Sequence, residues 1–195
     1  LNGVTTYTKE ELQEIGYVHK DFSENISSEF QQAVKDSTKE LQDFDVFVQS
    51  IGFDDVLSEE ESAEFNARVE RLCNDAIETI NSKKEEANSG ISEMFRLDDG
   101  IIDESEQDVL DYLNRQYDTN TTKITELKNE IYEIKEQALA EGRELNEKEI
   151  EQVNDKLTKI SELELEALGS SQEEILYAKN EFAARVETMD LESAS

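Results

Sequence analysis

The chain has 195 residues, of which 36% are hydrophobic and 35% are charged, and its formal net charge is −30. A negative field of this strength repels nucleic-acid phosphates and anionic membrane surfaces, so we expect neither as a direct partner. The acidic excess is even along the chain, with net charges of −6, −7, −9 and −8 over residues 1–52, 53–97, 98–142 and 143–195. Proline is absent, which leaves long helices unbroken.

Apolar residues recur at spacings of three and four, and this periodicity predicts six amphipathic helices. In chain order they cover residues 8–15, 28–51, 59–96, 104–141, 147–168 and a last stretch from about residue 172. The pair Ser89-Gly90 is a candidate bend or break in the third helix. The poor helix formers at 118–122 are a candidate break in the fourth. Period-two alternation is not sustained anywhere, so strands are not predicted.

Capping boxes mark the predicted helix starts. In a capping box, a short polar side chain accepts from a backbone N–H, and a glutamate three residues later accepts from the N–H of the cap. The pairs at residues 8, 58, 103 and 146 are spaced by 50, 45 and 43 residues, which predicts a repeated unit of about 45 residues. They are Thr8 with Glu11, Ser58 with Glu61, Asp103 with Glu106, and Asn146 with Glu149, and Ser171 with Glu174 is a weaker fifth.

The clearest heptad lies in the fourth predicted helix, where apolar positions alternate in steps of three and four from Leu110 to Ala138. We therefore predict an all-α fold built from elongated antiparallel helical hairpins or a bundle with coiled-coil-like seams. Its segments would be residues 1–52, residues 53–142 as a hairpin-like core, and residues 143–195, or one continuous helical domain. The heptad faces pack within one chain or between chains, so self-association is a further expectation.

Catalytic motifs are not found in the sequence. His19 is the only histidine and Cys73 the only cysteine, so no zinc cluster or nucleophile triad can be named. Cys73 lies near the apolar stripe of its helix and is expected to be a small buried hydrophobe. The many carboxylates are expected on solvated helix faces. We therefore predict a protein that is not an enzyme, with no catalytic residue and no cofactor.

One loop resembles half of a calcium site. With Gly100 at position 6 of an EF-hand loop, Asp99 takes position 5, Asp103 takes position 9 and Glu106 takes position 12. Positions 1 and 3 are apolar, so two ligands are missing. Asp99, Asp103 and Glu106 are therefore weak metal candidates for Ca²⁺. The alternative is that the loop only joins two helices and Glu106 caps the second.

The stretch QALAEGRELNEKEI at residues 137–150 resembles a segment that recurs in tail tape-measure proteins of phages and prophages of Gram-positive bacteria. In that family a helix ends in Ala-x-x-x-Gly-x-x-Leu, and a capped helix of Glu-x-Glu-Ile type follows. The continuations ISELELEALG at 160–169 and QEEILYAK at 172–179 are similar in style, as are the loops FDDVLSEEES and LDDGIIDESEQ. The resemblance implies a segment cut from a much longer chain, an expectation that also suits a start at Leu1.

The resemblance further implies a non-catalytic structural segment of a protein that sets tail length during assembly. Its expected partners are the tail tube and other tail proteins. Its expected location is the lumen of the virion tail, and the host cytoplasm during assembly. The alternative is an acidic helical adaptor, or a calcium-responsive binding module that uses the EF-hand-like loop.

Overall fold

The computed structural model describes residues 27–51, 57–98, 100–169 and residue 181. Within these ranges the chain is all-α, as predicted, with four long helices and no strand. They are α1 (Ser28–Ile51), α2 (Glu59–Asp98), α3 (Glu104–Ala140) and α4 (Glu147–Leu168). These bounds agree with four of the six predicted helices to within two residues. The predicted helices at 8–15 and from 172 lie outside the described residues, apart from the helical Glu181.

Each of the last three helices begins with the predicted capping box. Ser58 Oγ accepts from the Glu61 N–H at 3.2 Å, and the Ser58 N–H donates to Glu61 Oε2 at 2.8 Å. The side chains of Asp103 and Asn146 make the same reciprocal pair at the starts of α3 and α4. The boxes predicted at residues 8 and 171 lie outside the described residues. The spacing of about 45 residues thus corresponds to one helix and its connection.

Both candidate breaks are continuous helix. Gly90 lies inside α2, and residues 118–122 lie inside α3. In the second region the hydroxyl of Thr119 donates to the Arg115 carbonyl at 2.7 Å, and that of Thr122 donates to the Asp118 carbonyl at 2.8 Å. These bonds to the preceding turn satisfy the hydroxyls without interrupting the helix. The low intrinsic propensity of this run is therefore overridden by its context.

α2 and α3 form a long antiparallel hairpin. Residues that touch across it have numbers that add to about 200 along its whole length, as expected when two helices run in opposite directions. The contacts join Asn66 with Lys135 at 2.8 Å, Lys84 with Asp118 at 2.6 Å, and Asn88 with Asn114 at 2.5 Å. At 1.5 Å per residue, the 40 residues of α2 extend about 60 Å.

α1 and α4 pack along the part of this hairpin that lies away from the connection between α2 and α3. Phe44 of α1 meets Phe65 of α2 edge-to-face, with 5.5 Å between ring centroids. Thr79 of α2 donates to Glu164 of α4 at 2.8 Å. One buried cluster contains residues from all four helices and so joins the described parts of the three predicted segments. It includes Phe30, Val34, Leu41, Phe44, Val48, Phe65, Val69, Ala76, Ile80, Ile124, Ile131, Val153, Leu157 and Ile160.

The hairpin of α2 and α3 continues past Ser28 and Leu168, the ends of the two other described helices. Leu168, the last residue of α4, lines a groove with Ser82 and Lys83 of α2. The pairing of α1 with α2 places Ser28, the first residue of α1, at nearly the same level. Residues 84–118 therefore form a two-helix extension about 22 Å long, which we call the hairpin tip.

Candidate functional site

Two of the three carboxylates that were candidates for calcium are engaged in capping. Asp103 Oδ1 accepts from the Glu106 N–H at 2.9 Å and from the Ser105 hydroxyl at 2.7 Å, and the Asp103 N–H donates to Glu106 Oε2 at 2.9 Å. The hydrogen bond from the Glu106 backbone, followed by that from Ser105, holds the pKa of Asp103 below its ordinary value. Gly100 supplies the turn before the cap, with φ of +88°. Asp99 lies outside the described residues.

Three or more metal-ligating side chains do not come together anywhere in the part of the chain that the structure describes. Cys73 is fully buried on the inner face of α2, and this burial raises the pKa of its thiol to about 12. A thiol with so high a pKa carries almost no thiolate at neutral pH, and the thiolate is the nucleophilic form. Cys73 is thus a small core side chain, as expected. His19 lies outside the described residues.

A buried lysine lies between α2 and α3. Lys135 is only 2% exposed, and its Nζ donates to Asn66 Oδ1 at 2.8 Å and to Ser62 Oγ at 3.2 Å. A third partner is Glu136 Oε1 at 2.8 Å, on a side chain that is mostly exposed. The aliphatic stem of the lysine fills the interface while these oxygens hold its charge. We expect this contact to fix the register of the hairpin more specifically than an apolar side chain would.

A second polar contact follows one turn along the same interface. Glu70 of α2 accepts from the Tyr132 hydroxyl at 2.9 Å and from Lys128 Nζ at 3.3 Å. These bonds, with that from Tyr132 the stronger influence, lower the pKa of the Glu70 carboxyl. Burial, and then the neighbouring Glu70, raise the pKa of the Tyr132 phenol. Both groups therefore keep their neutral-pH charge states, and the contact ties the two helices without a titration near neutrality.

The segment that carries the family resemblance is the turn between α3 and α4. Gly142 has φ of +67°, in the left-handed region that favours glycine after a helix end. Arg143 then donates to both carboxylate oxygens of Glu149, at 2.7 and 2.8 Å, and to Glu141 at 2.6 Å. The hydrogen bond from Arg143 is also the main reason that the pKa of Glu149 is lowered. The left-handed Gly142, the ion pairs of Arg143 and the capping box at Asn146 thus together reverse the direction of the chain between α3 and α4.

Carboxylates from three helices lie near one another beside the core. Burial raises the pKa of Glu164 above its ordinary value of 4.5. The bond from Thr79 opposes this, and the charges of Glu40 and Asp75 add to it. The pKa of Glu40 is also raised, first by burial and then by Asp75, against the opposing charge of Arg71.

The protonation of these carboxylates is linked to stability. As pH falls from neutral, the folded chain binds protons at Glu164 and Glu40 before the unfolded chain does. At pH values above the raised pKa both carboxylates are ionised, and their ionisation then destabilises the fold to its full extent. That cost is relieved as pH falls towards 4.5.

Large apolar side chains are exposed at the hairpin tip. Met94 is 68% exposed, Ile101 65%, Tyr112 62% and Val109 49%. The three-four spacing of apolar residues in α2 predicts an inward stripe from Phe65 to Met94. The prediction is wrong for Met94, because the stripe continues beyond the level at which α1 and α4 end. Deeper members of that stripe, from Phe65 to Ile80, are buried as predicted.

The polar contact at Lys135 was not predicted from the sequence. The heptad in α3 assigned the inward position to Ile134, which packs at the margin of the core, while its neighbour Lys135 is fully buried. The available signal was the spacing of four from Ile131 and three to Ala138, which places Lys135 on the same face. A charged residue at such a position is usually exposed, so the apolar pattern made no prediction that Lys135 is buried.

Within the described ranges, none of the four helices combines the length and apolar character that a membrane crossing requires. Comparisons with known protein families, with curated protein sequences and with solved structures give no match.

Proposed function

We propose that this chain is a non-catalytic structural segment of a phage tail tape-measure protein, acting in tail assembly and tail-length determination. The resemblance of residues 137–150, with its continuations to residue 179, carries the proposal. In the proposed setting the segment lies in the lumen of the virion tail, and in the host cytoplasm during assembly. Its partners there are the tail tube and other tail proteins.

Two features of the described residues support this assignment. The residues that carry the resemblance have structural roles, since Gly142, Arg143 and Asn146 turn the chain from α3 into α4. The described residues before this turn build long helices, of 40 and 37 residues in α2 and α3, whose faces are apolar seams. An elongated helical scaffold suits a spacer better than a catalyst, because enzymes hold substrates in concave pockets with converging polar groups.

The calcium-responsive alternative receives less support. Asp103 and Glu106 are hydrogen bonded to backbone N–H groups of the capping box, and positions 1 and 3 of the loop carry no ligand. The adaptor form of the alternative is favoured by one observation, the exposed apolar side chains of the hairpin tip.

The reading frame that encodes the chain gives a first test. We expect a frame many times longer than 195 residues, located among genes for tail proteins. A short frame in another gene context would overturn the assignment.

An in-frame deletion gives a direct test. Removal of the codons for residues 59–140 is expected to abolish tails if assembly needs the hairpin, or otherwise to shorten them. The shortening is expected to be up to about 60 Å if α2 and α3 stay folded back on each other, and about 120 Å if they lie end to end in the tail. Electron microscopy of the particles measures this, with a synonymously recoded segment as the control. Tails of unchanged length and number would refute the proposed function.

A further inference from the structure

The hairpin tip contains most of the exposed large apolar side chains of the described residues. Five large apolar side chains are exposed among the described residues, and four of them lie between residues 94 and 112. The fifth, Val46, lies alone on α1. Single exposed hydrophobic side chains are ordinary in soluble proteins. Several of them at one end of the described hairpin point to an interaction surface.

Three of these side chains lie at similar levels along the tip. Val109 and Tyr112 are three residues apart on α3 and so lie on one face of that helix. The register set by Asn88 with Asn114 places Met94 of α2 at about the level of residue 108. Leu110 is the buried apolar side chain of α3 in the tip. The side chains of Val109 and Tyr112 are exposed and do not contribute to the buried core of the tip.

The charge of the tip selects the kind of partner. Residues 84–118 contain 11 acidic and 3 basic residues, a net charge of −8. One of the cations, Lys84, is already paired with Asp118 at 2.6 Å. A second copy of the chain would present the same negative surface and be repelled. A cationic partner would instead be attracted, and its apolar side chains would cover those of the tip.

We propose that the hairpin tip is a docking surface for a basic amphipathic helix of another protein. The apolar face of such a helix packs on Met94, Val109 and Tyr112, and its lysines or arginines face the surrounding carboxylates. The buried apolar contact, with Tyr112 as its aromatic anchor, provides most of the affinity. The charges accelerate association and set the salt dependence. This inference goes beyond the proposed function, because it assigns a partner chemistry that holds whether or not the chain belongs to a phage tail.

The test uses the full 195-residue chain and a fluorescent synthetic peptide of roughly 18 residues, or five helical turns. The peptide is built only from leucine and lysine in an amphipathic pattern. A scrambled peptide of the same composition and charge controls for binding that charge alone produces. Fluorescence anisotropy compares the original chain with the double variant Val109→Ser/Tyr112→Ser, with Met94→Ser, and with the matched control Val46→Ser. Circular dichroism checks that each variant keeps its helices.

We expect the double variant to bind the amphipathic peptide at least about tenfold more weakly, a loss that corresponds to about 1.4 kcal/mol. Met94→Ser should weaken binding by a smaller factor and covers the case in which the double variant loses helix. Val46→Ser should bind like the original chain. The scrambled peptide should bind weakly and not distinguish the variants. Equal affinity of all variants, or an equal loss with Val46→Ser, would overturn the docking surface while leaving the tail assignment untouched. Sedimentation showing that the chain self-associates through Val109 and Tyr112 would also overturn it, in favour of a second copy.

Discussion

The buried contact between Lys135 and Asn66 offers a stability test that depends on the register of the α2–α3 hairpin. The ammonium of Lys135 is almost fully removed from water, and Asn66 Oδ1 is its nearest neutral partner at 2.8 Å. Asn66→Ala deletes this acceptor while Ser62 and Glu136 remain in place. Lys135→Met removes the charge and keeps most of the apolar stem.

The magnitude follows from the burial of the lysine. A hydrogen bond to a charged group contributes about 1.5–3 kcal/mol, and water cannot readily replace Asn66 beside a side chain that is 2% exposed. Alanine is the better helix former by up to about 0.7 kcal/mol, so the net loss for Asn66→Ala is expected to be about 1–2.5 kcal/mol. In the Lys135→Met background the half-buried Asn66 has no charge to hold. There Asn66→Ala should change stability by less than about 0.5 kcal/mol.

Urea denaturation followed by circular dichroism measures the four free energies of unfolding in this double-mutant cycle. We expect a coupling energy of about 1–2 kcal/mol between the two sites. Asn129→Ala, at an exposed position of α3, is the matched control and should stabilise only by the difference in helix propensity, up to about 0.7 kcal/mol. Additive effects, with a coupling below about 0.3 kcal/mol, would refute the packing of Lys135 against Asn66.

Four further outcomes are expected from single changes. Ser58→Ala and Asn146→Ala remove helix caps and should each lower the free energy of unfolding by about 0.5–2 kcal/mol in urea denaturation, and an unchanged value for both would count against the capping boxes. Gly90→Ala should stabilise by about 0.5–1 kcal/mol, since an added Cβ meets no atom within 4 Å in continuous helix, whereas a loss of stability would mean a break there. Asp103→Asn keeps a cap acceptor, so we expect a similar melting temperature and, by calorimetry, no calcium binding by either chain; saturable heat from the original chain alone would restore the calcium site. Glu164→Gln removes a carboxylate whose pKa is raised by burial, so it should stabilise the fold at pH 7. The melting temperature of the variant should then rise less than that of the original chain between pH 7 and about 5, and an unchanged pH profile would contradict this linkage.

Helix bounds could be predicted from the sequence because their causes are local. A cap side chain and the glutamate three residues later interact within one turn, so Ser58, Asp103 and Asn146 announce their helices without help from the rest of the fold. The end of α3 is equally local, since Gly142 takes the left-handed conformation that stops a helix. The spacing of apolar residues also predicts a buried stripe from Phe30 to Ile51 in α1 and from Phe65 to Ile80 in α2, and both are confirmed.

The inward face of α3 could be predicted only in part, because that helix packs against two neighbours. Ile124, Ile131 and Ala138 are buried as predicted, but Ile134 is only half-buried beside the α3–α4 groove. A heptad describes a helix with one partner. When α2 and α4 both contact α3, the buried surface widens and takes in Lys135. Whether Ile134 or Lys135 is buried then depends on the position of α4, which cannot be predicted from the sequence pattern of α3 alone.

The two interpretations of the loop before α3 overlapped for a physical reason. In an EF-hand the exiting helix begins near loop position 9, so the ligand positions 9 and 12 are three residues apart, like the cap and the glutamate of a capping box. Asp103 and Glu106 satisfy both patterns equally well in sequence. Only positions 1, 3 and 5 distinguish a cation site from a helix start, because they supply charge that capping does not need. Apolar residues at positions 1 and 3 leave the cation without half of its cage, whereas the backbone N–H groups of α3 still require acceptors. The capping arrangement therefore prevails, with the Asp103 carboxylate 2.9 Å from the N–H of Glu106.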